Sequence, residues 1–414
     1  MQRLSLSILV ATGFSSATIV AAQSPGTPPI LGRIGAVLQA REANLISFRR
    51  DLHRHPELSG QEQRTAKMVA DRLTALGLEV RTNVGGHGVV GVVRGGKPGP
   101  LVAFRADMDA VASTAPDPVD FASLVPGVRH ICGHDVHTTI GLALAEGFSA
   151  VRAELAGTVM LIFQPAEESV TGARAMLADG IFARERPIAI YAVHTAPYEL
   201  GELATAPGGL MAGRDRVEVV ITGAGARSAA ADSVRRLIER IGTIAPSQLF
   251  APTARDFVLI QNGPVRASED TARFGVQVSL ADSAVRRRVQ EQIARLDDLV
   301  FAGIRVKTHY NARAVAGVTN DPSLVARANQ AVANALGDRS IQLVEDVLPA
   351  FSEDFGSFQE LVPGVMYFLG VSNSARGTAG MPHSPNYVAD EGAILVGARA
   401  MAAAITAHFP ESHR

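Results

Sequence analysis

Leu101-Val102-Ala103-Phe104-Arg105-Ala106-Asp107-Met108-Asp109 is an apolar run that ends in a cluster of charge. It is short and bounded, as a buried strand is. The same arrangement recurs twice. Residues 158–163 lead into Gln164-Pro165-Ala166-Glu167-Glu168, and residues 188–193 lead into His194-Thr195-Ala196-Pro197. Runs of this kind suit parallel strands covered on both faces. Residues 78–82, 89–94 and 365–369 read as further strands. Helices lie between them. Ser59-Gly60-Gln61-Glu62 has the form of a capping box, opening a helix that reaches Leu76 and stops at Gly77. Another helix is expected after His137, with Ile140, Leu144 and Phe148 on one face. A third spans residues 321–336, and the last starts near Asp390. Alternating strands and helices predict an α/β sheet domain. Ligands of open α/β sheets sit at the carboxyl ends of the strands, so the polar clusters should converge there.

Residues 215–310 follow a different rhythm. A strand over 217–222 precedes a helix over 228–241. Strands follow at 257–261 and 274–280, then a helix over 283–301 and a strand over 304–309. The order βαββαβ is ferredoxin-like and predicts a small domain inserted into the larger one. The basic runs Arg235-Arg236 and Arg286-Arg287-Arg288 suit solvated helix faces.

Cys132 is the only cysteine among 414 residues. It lies in Arg129-His130-Ile131-Cys132-Gly133-His134-Asp135-Val136-His137. Thiolate, imidazole and carboxylate are the ligand types that divalent transition metals favour. Cys132 and His134 are two apart, so on an extended segment both would leave one face. A buried free cysteine is the plain alternative, but such cysteines rarely sit among so many polar neighbours. Glu167 and Glu168 are adjacent, and on an extended segment they would point apart. One could bind a metal while the other addresses a water. Two solvated loop glutamates are the alternative. Gly86-His87-Gly88-Val89-Val90-Gly91 imitates a dinucleotide fingerprint, but a strand follows it where a helix is required, so it reads as a turn.

The N-terminus predicts export. A basic Met1-Gln2-Arg3 precedes a moderately apolar stretch to Ala21, and Val20-Ala21-Ala22 offers a small-residue cleavage site. Residues 1–22 are therefore expected to be a signal peptide, and residues 23–32 a flexible lead-in. The mature chain would be periplasmic or secreted, with no membrane attachment. A single cysteine cannot form an internal disulfide, so stability must come from core burial. The composition is 47% hydrophobic and 19% charged, with net charge −1. That balance gives no electrostatic case for nucleic acid.

Taken together, the motifs resemble the M20 metallopeptidase family, in its branch of hippurate hydrolases, N-acyl-amino-acid amidohydrolases and auxin-conjugate hydrolases. The matching segments are Arg50-Asp51-Leu52-His53-Arg54-His55-Pro56-Glu57, Arg105-Ala106-Asp107-Met108-Asp109-Ala110 and Cys132-Gly133-His134-Asp135, then Gln164-Pro165-Ala166-Glu167-Glu168, His194-Thr195-Ala196-Pro197, Ser352-Glu353-Asp354-Phe355 and His383-Ser384-Pro385. The resemblance implies a zinc-peptidase-like catalytic domain in two parts, residues 33–214 and 311–414. Residues 215–310 would form the ferredoxin-like lid, through which a homodimer could pair. It also implies two divalent ions (Zn, Mn, Co or Ni). By position Cys132, His134, Glu168, His194 and His383 correspond to the ligands, Glu167 to the general base, and Asp107 to a residue that orients a ligand. The expected substrate is a small N-acyl amino acid or peptide-like amide.

The lid departs from the family pattern. Gly223-Ala224-Gly225-Ala226-Arg227-Ser228-Ala229 lacks the histidine usual after the first lid strand, and a usual arginine on a later strand is not evident. Arg227 is a candidate replacement that would contact substrate. Two functions follow: a metal-dependent amidohydrolase, or a relative that binds a small ligand without turning it over. The intact Glu167 favours the first. A thiol-nucleophile hydrolase built on Cys132 ranks third.

Overall fold

The computed structural model describes residues 29–410 except 224–227, 250 and 302. An eight-stranded mixed sheet carries the larger part. Its strand order is Glu79–Val84, Gly88–Arg94, Ala156–Gln164, Lys97–Asp107, Ala189–Glu199, Gly364–Ser372, Leu203–Thr205 and Ile341–Leu343. The four central strands from Ala156–Gln164 to Gly364–Ser372 run parallel. They are buried almost end to end, which is why they read as unbroken apolar runs. One face is covered by helices Pro29–Arg54, His134–Val151, Pro322–Leu336 and Ala393–Thr406. A second apolar layer with Met176, Phe355 and Phe358 lies on the other.

The second sheet has its own core. Its four main strands stand in the order Leu259–Asn262, Thr271–Leu280, Gly213–Thr222 and Ile304–Val315, all antiparallel. With helices Ser228–Glu239 and Ser283–Ala294 between them, this is the ferredoxin-like arrangement. The first strand begins at Gly213 and the last runs to Val315, slightly wider than the expected 215–310. Gly208–Gly209 and Thr319–Asn320, flanking this unit in the sequence, pair antiparallel with each other. The chain therefore enters and leaves the small sheet through adjacent segments.

Several local expectations are corrected. The second helix is Gln63–Ala75, with Glu62 at its start and no side-chain cap from Ser59. Ser59 instead donates its hydroxyl hydrogen to Asp109. The free amides of Arg64 and Thr65 are taken by the Glu57 carboxylate, from outside the helix. Gly77 does adopt the left-handed conformation that ends it, with φ +70°. The lead-in expected over residues 23–32 is already helical from Pro29. The expected signal peptide lies outside the described residues. Among the described residues no helix is long and apolar enough to cross a membrane.

Candidate metal centre and active site

The polar clusters gather at the carboxyl edge of the parallel strands. Asp107 and Gln164 end their strands, and His194, midway along Ala189–Glu199, stands level with Asp107 because Arg105 pairs with Ala192. Cys132 and His134 arrive differently from the expected extended segment. Gly133 turns the chain at φ +89° and His134 opens the helix His134–Val151, which therefore starts before His137. A side chain at Gly133 has no room: a Cβ there would lie 2.2 Å from the Tyr387 hydroxyl and 2.5 Å from Thr195 Oγ1. Glu167 and Glu168 likewise sit in a turn, not an extended run. The left-handed Ala166 (φ +54°) brings both carboxylates inward, and each lies under 4 Å from His134 Nε2, at 3.8 and 3.7 Å. His383 comes from a distant loop. Its backbone amide donates to the Ile131 carbonyl at 2.8 Å, which seats it beside Cys132.

The five expected ligands fall into two groups that share Cys132. Cys132, His134 and His194 form one, and Cys132, Glu168 and His383 the other, with ligand atoms in each mutually within 4.8 Å. Hydrogen bonds settle which atoms face the centre. His194 Nδ1–H donates to the Thr195 carbonyl at 2.8 Å, leaving Nε2 3.4 Å from the Cys132 sulfur. His134 Nδ1–H donates to Asp109 at 3.2 Å, so its Nε2 is the free atom. His134 Nε2 and Glu168 Oε1 are both buried without a well-aligned hydrogen bond; Oε1 has only ion-pair contacts, 3.3 Å to His383 Nε2 and 3.7 Å to His134 Nε2. Buried orphans of this kind need an explanation, and a cation between them supplies one. Soft thiolate with imidazole and carboxylate fits Zn, Mn, Co or Ni.

The carboxylate on the remote nitrogen of His134 is that of Asp109. Asp107 accepts instead from His137 Nδ1–H at 2.6 Å and from Arg105 at 2.6 Å. His137 Nε2 in turn accepts the Thr195 amide at 2.8 Å. Both its nitrogens are occupied, so His137 is a support and not a ligand. Arg105 is wholly buried, pairs with Asp107 and Glu353, and approaches Asp354 at 3.2 Å. Gln164 ties Arg105 to Asp354. Asp107, Glu167 and Glu353 together form a buried carboxylate cluster. Sequence reasoning missed Asp109, His137, Arg105 and the Glu353-Asp354 pair as working parts. The two-residue spacing of Arg105, Asp107 and Asp109 on one strand end was the available signal for the first and third. Arg227 lies outside the described residues.

Electrostatics without a cation are those of a site full of protons. Burial alone would lower the pKa of His134, but the Asp107 and Asp109 carboxylates outweigh it and push it up to about 10. Burial, then the Glu168 and Glu167 charges, push the Cys132 thiol well up. Burial, then Glu353 and Glu168, hold Glu167 well above the usual carboxylate range. Burial opposes ionisation of Glu168, but the His383 imidazole beside it and the charge of His134 hold it down to about 2. His194 is driven down to about 3 by burial and by His137, so it stays neutral with a free lone pair.

A cavity of about 930 Å³ opens from this centre, lined by Cys132, Glu167, Glu168, His194 and His383 at one end and by the small sheet at the other. That size suits a small-molecule ligand.

The sequence matches the peptidase family M20/M25/M40 over residues 103–407. It is 32% identical to the N-acetylcysteine deacetylase of Bacillus subtilis over 377 residues, covering 86% of this chain and 95% of that one. It is 29% identical to the IAA-amino acid hydrolase ILR1-like 6 of Arabidopsis thaliana, covering 89% and 81%. Among solved structures, the Bacillus subtilis YXEP protein, described as a dinuclear metal binding peptidase from the M20 family, aligns with TM-score 0.74 and 29% identity, over 89% of this chain and 98% of that one.

Proposed function

From a chain that belongs to the peptidase family M20/M25/M40, and is a metal-dependent hydrolase, we infer an exported amidohydrolase that cleaves the amide bond of N-acyl amino acids. The observation that carries this reading is the pair of ligand groups sharing Cys132, with Glu167 beside them and two orphaned ligand atoms between. Cys132, His134 and His194 would hold one divalent ion, and Cys132, Glu168 and His383 the other. When bound, such ions polarise the scissile carbonyl and acidify the attacking water. Glu167 takes a proton from that water and delivers it to the departing amine nitrogen. Asp109 fixes the tautomer and orientation of His134 from behind, as carboxylates do for metal-binding histidines. The named relatives that act on N-acetylcysteine and on indoleacetic-acid amino acid conjugates point to the acyl-amino-acid class.

A thiol-nucleophile mechanism has the electrostatics against it. A nucleophilic cysteine needs a lowered pKa, whereas burial and the neighbouring carboxylates raise this one. Metal analysis of the purified protein, with a screen of N-acyl amino acids before and after chelation, tests the proposal. Turnover that is lost on chelation and restored by a divalent ion is expected. A metal-loaded protein that turns over no small amide would favour the ligand-binding alternative, to which the missing lid histidine points. Export is checked separately: the native protein should begin near Gln23, and retention of Met1 would overturn it.

A further inference from the structure

Glu62 is fully buried, with no cation beside it among the described residues. One of its oxygens, Oε1, accepts the Gly60 amide and the Ala166 amide, each at 2.8 Å. The other, Oε2, is buried with no hydrogen-bond partner. Burial pushes the carboxyl up in spite of the amides it accepts, and the charge of Asp109 adds to the push. An unpaired buried carboxylate is costly, so its place needs a reason. A helix dipole favours a carboxylate at the helix start, but that requires neither burial nor a long-range contact. The free amides of the helix Gln63–Ala75 go to Glu57. Glu62 reaches instead to a residue 104 positions along the chain.

What Glu62 holds is the start of the turn that carries Glu167 and Glu168. Ala166 has φ +54°, a conformation that persists in an alanine only when its surroundings enforce it. Its carbonyl is satisfied within the turn, accepting the Thr171 and Gly172 amides at 3.2 and 3.1 Å. Its amide is satisfied from outside, by Glu62. Glu168 is held in the same manner, its amide donating to Asp109 at 2.9 Å. Glu167 therefore stands between two amides, each fixed by a carboxylate from another segment. Ser59 donates to Asp109 at 2.6 Å, so the stretch from Ser59 to Glu62 grips both anchors.

We propose that Glu62 is a positioning residue for the turn, holding the Ala166 amide and so setting where Glu167 and Glu168 stand. This rests on the hydrolase reading above and adds to it a residue that acts through the base and one ligand carboxylate. The role calls for an acceptor oxygen at that place and not for a charge.

The test sets Glu62→Ala beside Glu62→Gln, which keeps an acceptor oxygen and loses the charge. Metal-loaded Glu62→Ala should lose about 10- to 100-fold in kcat on N-acetyl-L-leucine with little change in KM, as misplacement of a reacting group does. Chelator-treated Glu62→Ala titrated with Zn²⁺ should hold the weaker of its two ions about tenfold less tightly, because Glu168 rides on the same turn. Glu62→Gln should recover both properties to within about threefold of wild type, since the hydrogen bond is kept. In a Glu167→Gln background Glu62→Ala should cost kcat almost nothing more, because its effect passes through the base. Circular dichroism reports folding. Should Glu62→Ala not fold, Glu62→Asp, which keeps the charge and shortens the reach to Ala166, takes its place with the same expectations. A folded Glu62→Ala protein with wild-type kcat and Zn²⁺ affinity overturns the proposal and leaves the hydrolase reading standing. So does an equal loss in Glu62→Gln, or a full further loss in the Glu167→Gln background. If wild type hydrolyses no N-acyl amino acid, the Zn²⁺ titration decides. A loss in Glu62→Ala that Glu62→Gln recovers upholds the anchor although the hydrolase reading fails, and an unchanged affinity overturns it.

Discussion

Glu167→Gln should retain both metal ions and the fold, and lose about 10²–10⁴-fold in kcat, the usual cost of removing a general base. The buried carboxylates around Glu167 explain why the substitution is clean. Burial and the charges of Glu353, Glu168, Asp354 and Asp107 hold its carboxyl well above the usual carboxylate range. An acid whose folded pKa is raised favours folding only below its unfolded value, and that contribution is lost as pH rises. At neutral pH the native glutamate therefore burdens the metal-free fold, and a neutral amide of the same shape does not. Cationic charge held at Glu168 and His134 would lower the pKa of Glu167 towards that of a working base. Metal analysis and steady-state kinetics on the same preparation check the prediction. Loss of metal with retained turnover in the residual loaded fraction would mean that Glu167 and Glu168 have exchanged roles.

The legible parts of this molecule are those whose signal is local. The parallel strands of the large sheet are buried on both faces, so their apolar runs stand out without any knowledge of their neighbours. Cys132, His134 and the Glu167-Glu168 pair were visible for a similar reason, each being a polar cluster at a strand or helix boundary. The geometry inferred for them was wrong in detail. Both clusters were read as extended, whereas Gly133 and Ala166 each place the chain at positive φ. Only an atomic view of the crowding around Gly133 shows why that turn is required. The capping box failed because the carboxylate that satisfies the helix start comes from Glu57, outside the four-residue pattern. His383 was reached only through the family resemblance, since a histidine in a proline-bounded loop carries no local mark. Arg105 and Glu353 are 248 residues apart, and no periodicity connects them.

Cys132→Ala should be the most damaging single change to metal content. The Cys132 sulfur is the atom common to both ligand groups. Its removal leaves His134 and His194 on one side and Glu168 and His383 on the other, two protein ligands apiece where the native groups have three. Both ions should be lost in dialysed protein, and activity with them. The fold should survive, because truncating a buried thiol to a methyl group typically costs only about 1–2 kcal/mol. Proton counting gives an independent check. In the metal-free protein the thiol is held protonated, and His134 keeps its proton up to about pH 10. Ligation requires both to be given up. Metal affinity should therefore rise with pH across the neutral range and fall as the solution is acidified. Calorimetry in buffers of different ionisation enthalpy measures the protons released, and wild type should release more than one per loaded chain. A variant that still loads both ions tightly, or a wild type whose affinity is independent of pH, would show that the thiol is not a ligand and that the orphaned atoms of His134 and Glu168 are satisfied in another way.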